Sequence, residues 1–159
     1  DPELEPGTLI IPTGAIRKDG TGREYVPIEF PAVPNFDLVS ALKDAAKKLK
    51  KKSALGVVEC KDSYYGQHAP ERMPAKYELL QKWEAWKTAG AIGSEMESST
   101  LFIVASVLRV RCATILLLCR NREREDKYNT GLIRETDTSN AIETAIEALR
   151  TIIAKDKDN

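Results

Sequence analysis

Apolar positions along the chain follow two different periods. Short apolar runs bounded by Gly, Pro or charged residues occur at positions 7–13, 55–60 and 111–119, and these read as strands. In the first of them Pro12 and Gly14 mark a frayed end, because Pro removes a ladder donor. Helical spacing governs three other stretches. From an Asn35 cap to about residue 51, Phe36, Leu38, Val39, Leu42, Ala45, Ala46 and Leu49 form one inward stripe. Over 75–89, Tyr77, Leu80, Trp83 and Trp86 recur at helical spacing, an arrangement commoner in a core or subunit interface than around a cofactor. Over 137–155 the predicted inward set is Ala141, Ile142, Ala145, Ile146, Leu149 and Ile152, with residues 156–159 expected to fray.

The intervening segments are polar or broken by proline. The stretch 26–34 carries Pro27, Pro31 and Pro34, a spacing incompatible with a regular helix or a central strand. Residues 61–74 form a long loop after the second strand, and loops hung from sheet strands are where ligand groups collect. Residues 120–130 form a second, charged loop. Strands separated by helices predict an α/β layer structure, and no repeat, linker or low-complexity block divides the chain, so residues 1–159 are expected to form one domain.

Charge removes some functions from consideration. The 24 basic and 24 acidic residues cancel, so no global field draws the protein to nucleic acid or an anionic membrane. The lysine run at 47–52 closes a helix whose dipole favours cations there, which favours a solvated helix end over a nucleic-acid patch. The longest apolar run, 113–119, is too short to span a bilayer. Cys60, Cys112 and Cys119 each lie in or beside an apolar run, and an odd count fits buried free thiols in a reducing, cytoplasmic setting. With a single His68, they offer no metal site.

The chemistry concentrates at residues 93–104, where Gly93-Ser94-Glu95-Met96-Glu97-Ser98-Ser99-Thr100 runs into Leu101-Phe102-Ile103-Val104 and a helix extending to about residue 108. Ser94 and Glu97 satisfy the spacing of a helix capping box, which by itself accounts for both residues structurally. The string Ser-Glu-Met-Glu-Ser-Ser-Thr-Leu also resembles the Glu-Met-Glu signature of the nucleoside phosphorylase family, which includes uridine- and purine-specific members. Asp62-Ser63-Tyr64-Tyr65-Gly66-Gln67-His68 is similar to that family's uracil-binding Phe-Tyr-Gly-Gln segment, and matching stretches extend from Gly7 to the last helix.

The resemblance implies a three-layer nucleoside-phosphorylase-like fold, with a central mixed sheet flanked by helices, and a pentosyltransferase that converts uridine and phosphate to uracil and ribose 1-phosphate. It implies that Glu97 accepts from the ribose hydroxyls and favours a cationic transition state, while Met96 packs beside the sugar and Glu95 is a sugar-side or structural group. Gln67 would read the base edge, and Tyr64 would stack on it. An Asp that serves purine-type members is replaced here by Arg120-Asn121-Arg122-Glu123-Arg124, so Arg122, or Arg124 second, would steady the base oxygen that becomes anionic. Some uridine-type members carry Arg two places after the Gln. Here that position is Ala69, and Arg72 is the nearby substitute. The family's phosphate loops lie upstream of Asp1, so the chain corresponds to the later portion of the fold and the nucleoside half of the site. Alternatives are an inactive nucleoside-binding protein, or a purine-type phosphorylase or nucleosidase. No cofactor is implied beyond phosphate as co-substrate, and the family implies a homo-oligomer, a dimer or hexamer.

Overall fold

A computed structural model describes residues 1–157, and Asp158 and Asn159 of the fraying expectation lie outside them. The elements run β1 (Leu9–Arg17), α1 (Thr21–Tyr25), α2 (Phe36–Lys48), β2 (Ser53–Cys60), α3 (Tyr64–His68), a 3-10 turn (Pro70–Arg72), α4 (Lys76–Thr88), β3 (Gly93–Glu95), α5 (Ser98–Leu108), β4 (Leu116–Leu117), α6 (Arg122–Tyr128) and α7 (Ser139–Lys157). The sheet is mixed, in the order β3-β2-β1-β4: β1, β2 and β3 are parallel, and β4 pairs antiparallel with β1. This is the expected α/β architecture.

Strand β1 does not fray at Pro12. Pro12 pairs with Gly56 and Gly14 with Val57, so Thr13 is an extra residue on β1 and the strand continues to Arg17 through a bulge. The bulge absorbs the proline and reverses the side-chain alternation beyond it. Ile11 therefore packs with Val39, Leu42 and Ala45 of α2 and with Ala148 and Ile152 of α7, whereas Ala15, four residues later, packs with Phe102 and Ile103 of α5. One irregular residue lets a single strand serve two cores.

Helix α2 begins where the cap predicts, with the Leu38 N–H donating to Asn35 Oδ1 at 3.1 Å. Its buried face is Val39, Ala41, Leu42, Ala45 and Ala46, while Phe36, expected inward, is 79% exposed because it stands in the first turn. The lysines at its end meet carboxylates: Lys48 pairs with Glu147, Lys51 with Glu143 and Lys52 with Glu5. Helix α7 buries Ala141, Thr144, Ala148 and Ile152, leaving Ile142, Ile146 and Leu149 about half exposed. Small residues face α2 because two helices can approach closely only where side chains are short. Ile142, Ile146 and Leu149 consequently lie outside that contact, whereas Ile152 packs into it. Asp156 and Lys157, expected to fray, are helical, and Asp156 pairs with Arg111.

Two further expectations are corrected. Of the predicted strand at 111–119 only Leu116 and Leu117 form a ladder, at the sheet edge, and Cys119 is exposed; Cys60 alone of the three thiols is fully buried. Helix α4 buries no residue: Tyr77 is 76% exposed, and Trp83 and Trp86 are half-buried. Its aromatic stripe is not core. Among the described residues no helix is long and apolar enough to cross a membrane.

Candidate functional site

Parallel pairing of β2 with β3 sets Glu59 beside Ser94 and Cys60 beside Glu95. Alternation along both strands then sends these two pairs to opposite faces of the sheet. The first pair faces a cavity of about 380 Å³ whose apolar wall includes Leu80, Trp83, Trp86, Ile92 and Leu118. Its polar lining includes Glu59, Gln67, His68, Ser94, Arg120, Arg122 and Glu123. Trp83 and Trp86, read from sequence as core or interface, are cavity wall. Lys18 Nζ sits 4.7 Å from the Trp86 ring centre, and Trp83 Nε1 donates to Glu123 Oε1 at 3.0 Å.

Gln67 reaches the cavity because the segment expected as loop folds into α3. Ser63 caps it, accepting from the Gly66 N–H at 3.0 Å, and Asp62 ties its approach to the Gly20 N–H at 2.8 Å. Across the cavity, Asn121 caps α6 by accepting from the Arg124 N–H at 3.1 Å, so the predicted charged loop is partly helical and Arg122 is its first helical residue. Arg122 donates to the His68 carbonyl at 3.2 Å, which brings it beside α3. Arg120 is engaged with Glu125, and Arg124 donates to the carbonyls of Pro2 and Glu3 and to Glu5. Of the three arginines, Arg122 lines the cavity without a carboxylate partner among the described residues. His68 is held below its ordinary pKa by burial, with Lys61, Arg122 and Arg120 adding to the effect, so its imidazole is neutral near pH 7.

The second pair organises the start of α5. Glu95 Oε2 accepts from the N–H groups of Glu97 at 2.8 Å and Ser98 at 2.7 Å, so Glu95 provides the cap, and the expected Ser94–Glu97 box does not form. A carboxylate there satisfies orphan donors and suits the helix dipole. Among the described residues Glu95 Oε1 is buried without a hydrogen-bond partner. Asp19, itself buried, accepts from Ser99 Oγ, from Thr100 Oγ1 at 3.0 Å and from the Gly22 N–H at 2.6 Å. Burial pushes the Asp19 carboxyl upward, but those bonds outweigh it and hold it below its usual value. Cys60, under the same turn, is pushed up to about 12, chiefly by burial. The turn is pinned from two sides. Glu97 is exposed, and its carboxylate accepts from the Met96 N–H at 3.1 Å; Met96 is partly exposed beside it.

The sequence-predicted residues therefore divide. Gln67 and Arg122 share the cavity, and Ser94, three residues before Glu97, forms part of its wall. Glu95, Met96 and Glu97 continue from that wall without lining the cavity. Tyr64 is exposed, with its ring centre 4.2 Å from His68, and Arg72 lies over the Tyr65 ring. Arg124 is turned to the N-terminal segment. Sequence reasoning missed Glu59 and Lys61, although a carboxylate inside the apolar run 55–60 was a signal for the first. Among the described residues no cluster of His, Cys, Asp and Glu is placed to hold a metal.

Residues 1–154 match the phosphorylase superfamily. The chain belongs to that superfamily. It is 49% identical over 157 residues to a uridine phosphorylase of Treponema pallidum, a match covering 98% of this chain and 60% of the relative. A uridine phosphorylase of Haemophilus influenzae is 32% identical over 96% of this chain and 62% of its own length. A guanosine phosphorylase of Halorubrum lacusprofundi is 27% identical over 71% of this chain. The chain thus spans about 60% of the length of the two uridine phosphorylases. The phosphorylase-superfamily assignment agrees with the resemblance read from Glu95-Met96-Glu97 and the Tyr64–Gln67 segment.

Proposed function

We propose that this chain, as one structural unit, carries the nucleoside-binding part of a uridine phosphorylase that reversibly converts uridine and phosphate to uracil and ribose 1-phosphate. The observation that carries the reading is the approach of Gln67 and Arg122 to one aromatic-walled cavity whose border leads, through Ser94, into Glu95-Met96-Glu97.

Phosphorolysis breaks the C1′–N1 bond as phosphate oxygen attacks C1′, so the ribose gains cationic character and uracil leaves with the bonding electron pair. Glu97, an exposed carboxylate, accepts from the 2′- and 3′-hydroxyls and stabilises the cationic sugar. Met96 provides an apolar surface beside it. Gln67 matches the alternating acceptor and donor groups of uracil, and Arg122 takes the carbonyl oxygen on which negative charge collects. Arg122 is favoured over Arg124 because the latter is occupied by the N-terminal carbonyls. Glu95 shapes the turn, Tyr64 stacks on the base, and Arg72 stands in for the arginine that some family members carry two places after the Gln. Phosphate enters as co-substrate, no metal takes part, and the enzyme works as a cytoplasmic homo-oligomer.

The test is substrate competition on the complete protein with phosphate present. Uridine turnover, with inosine and adenosine inert, supports the reading. A preference for inosine defeats the pyrimidine assignment, and nucleoside binding without phosphate-dependent cleavage defeats the enzymatic one.

A further inference from the structure

The polar groups beneath Gln67 form a chain of donors and acceptors that settles how its amide is turned. Ser94 Oγ has three neighbours: Lys61 Nζ at 2.5 Å, Glu59 Oε2 at 2.5 Å and Gln67 Oε1 at 2.8 Å. An ammonium only donates and a carboxylate only accepts. Ser94 must therefore receive a proton from Lys61 and give its own to Glu59. One acceptor lone pair remains on the hydroxyl, and it can be satisfied only by an N–H. With its single proton given to Glu59, Ser94 cannot also donate to Gln67 Oε1, so the network requires the amide turned over from the orientation in the structure, with Nε2 beside Ser94. Its carbonyl oxygen is then left for the cavity. Glu59 is 1% exposed, and Lys18 Nζ holds its other oxygen at 3.1 Å.

We propose that Glu59, acting through Ser94, is a positioning residue that fixes the orientation of the Gln67 amide and makes the site select a base edge offering an N–H donor. The inference rests on the nucleoside-binding reading above. Uracil offers that donor at N3, flanked by carbonyl oxygens. Cytosine has an acceptor at N3, which would face the Gln67 carbonyl oxygen and leave two acceptors opposed. Selection between two bases of one size thus originates in a carboxylate that need not touch either.

Replacing Glu59 by Gln reverses the chain without changing its shape. Lys18 still requires an acceptor, so the new amide oxygen turns to Lys18 and its NH2 to Ser94. Ser94 then accepts from both residue 59 and Lys61, its proton goes to Gln67, and the Gln67 amide presents NH2 to the cavity. Ser94→Ala removes the link and leaves the amide unbiased.

The experiment titrates the complete protein and both variants with uridine and with cytidine, following Trp83 and Trp86 fluorescence, alongside uridine turnover. The wild type is expected to bind uridine more tightly. In Glu59→Gln the ratio of cytidine Kd to uridine Kd should fall about 10- to 100-fold, as expected when one hydrogen bond is exchanged for an acceptor clash. In turnover the loss should appear in KM rather than kcat. In Ser94→Ala the ratio should move in the same direction by less. An unchanged ratio in both variants, or equal weakening of both ligands, overturns the inference. Should Glu59→Gln lack a cooperative melt, Ser94→Ala decides alone by the same ratio. A wild type that selects uridine but releases no uracil sinks the phosphorylase reading and leaves this inference standing; turnover with an unaltered ratio does the reverse.

Discussion

Removal of the Asp19 carboxylate should both unfasten the first turn of α5 and weaken the site. Asp19 accepts three hydrogen bonds, but the three donors differ in what they can recover. Thr100 is partly accessible and can turn to water, whereas Ser99 is buried and the bond from the Gly22 N–H is buried too. Two buried donors left without a charged acceptor cost about 1.5–2 kcal/mol each, so Asp19→Ala should destabilise by about 3–4 kcal/mol. With a urea m value of about 2 kcal/mol/M, the unfolding midpoint falls by about 1.5–2 M. The sign of the pH dependence follows from the depressed carboxyl pKa. The wild-type advantage is full above the unfolded value of about 3.9 and disappears as pH falls through the lower folded value. Urea melts of the complete protein at pH 7 and at stepwise lower pH below about 4 would show the gap between wild type and variant closing with acid. A midpoint shift under about 0.5 M, or a gap that widens as pH falls, would refute the anchoring role.

Four other outcomes are expected. Glu97→Ala should lower uridine kcat/KM about 100-fold, the loss of a charge-assisted sugar contact, with the urea midpoint unchanged; a variant within threefold of wild type removes Glu97 from the mechanism. Arg17 donates to the carbonyls of Gly22, Val26, Pro27 and Phe30, a fan that lysine cannot reproduce. Arg17→Lys should therefore cost about 2–3 kcal/mol and speed proteolytic cutting between residues 22 and 30, and protection equal to wild type would contradict this. At Gly56 an added Cβ would stand 2.9 Å from Ile92 Cδ1, so Gly56→Ala should push Ile92 into the cavity and raise KM for uridine with kcat near normal. His68 is the single histidine of this chain, and its NMR titration midpoint should lie below 6.5, because burial and neighbouring cations disfavour the imidazolium; a midpoint above 6.5 would contradict its position at the cavity wall.

Local chemistry made some features readable in advance. Asn35 before an amphipathic run specified the start of α2, and the lysine cluster at its end was correctly read as a helix terminus, since Lys48 and Lys51 pair with carboxylates of α7. Features set by distant partners were not readable. The bulge at Thr13 depends on alignment with Gly56 and Val57, and without it Pro12 looks like a strand end. The face of α7 was misjudged because close approach to α2 selected Ala148 over Leu149, a preference that hydrophobicity alone does not carry. Trp83 and Trp86 had the spacing of a core face, but spacing cannot tell a protein neighbour from a cavity. At the candidate site, Gln67 and Arg122 were visible through family motifs, whereas the role of Glu59 was not: its carboxylate stands out in an apolar run, but its partner Ser94 lies 35 residues away and meets it only through sheet register.

In the proposed complex one nucleoside bridges Gln67, Arg122 and Glu97. A crystal structure of the complete protein with uridine tests it most directly. The uracil edge is expected within about 3.2 Å of the Gln67 amide and the Arg122 guanidinium, with a ribose hydroxyl at the same distance from a Glu97 oxygen. Uridine bound away from the cavity lined by Gln67 and Arg122, or with its ribose turned from Glu97, would contradict it.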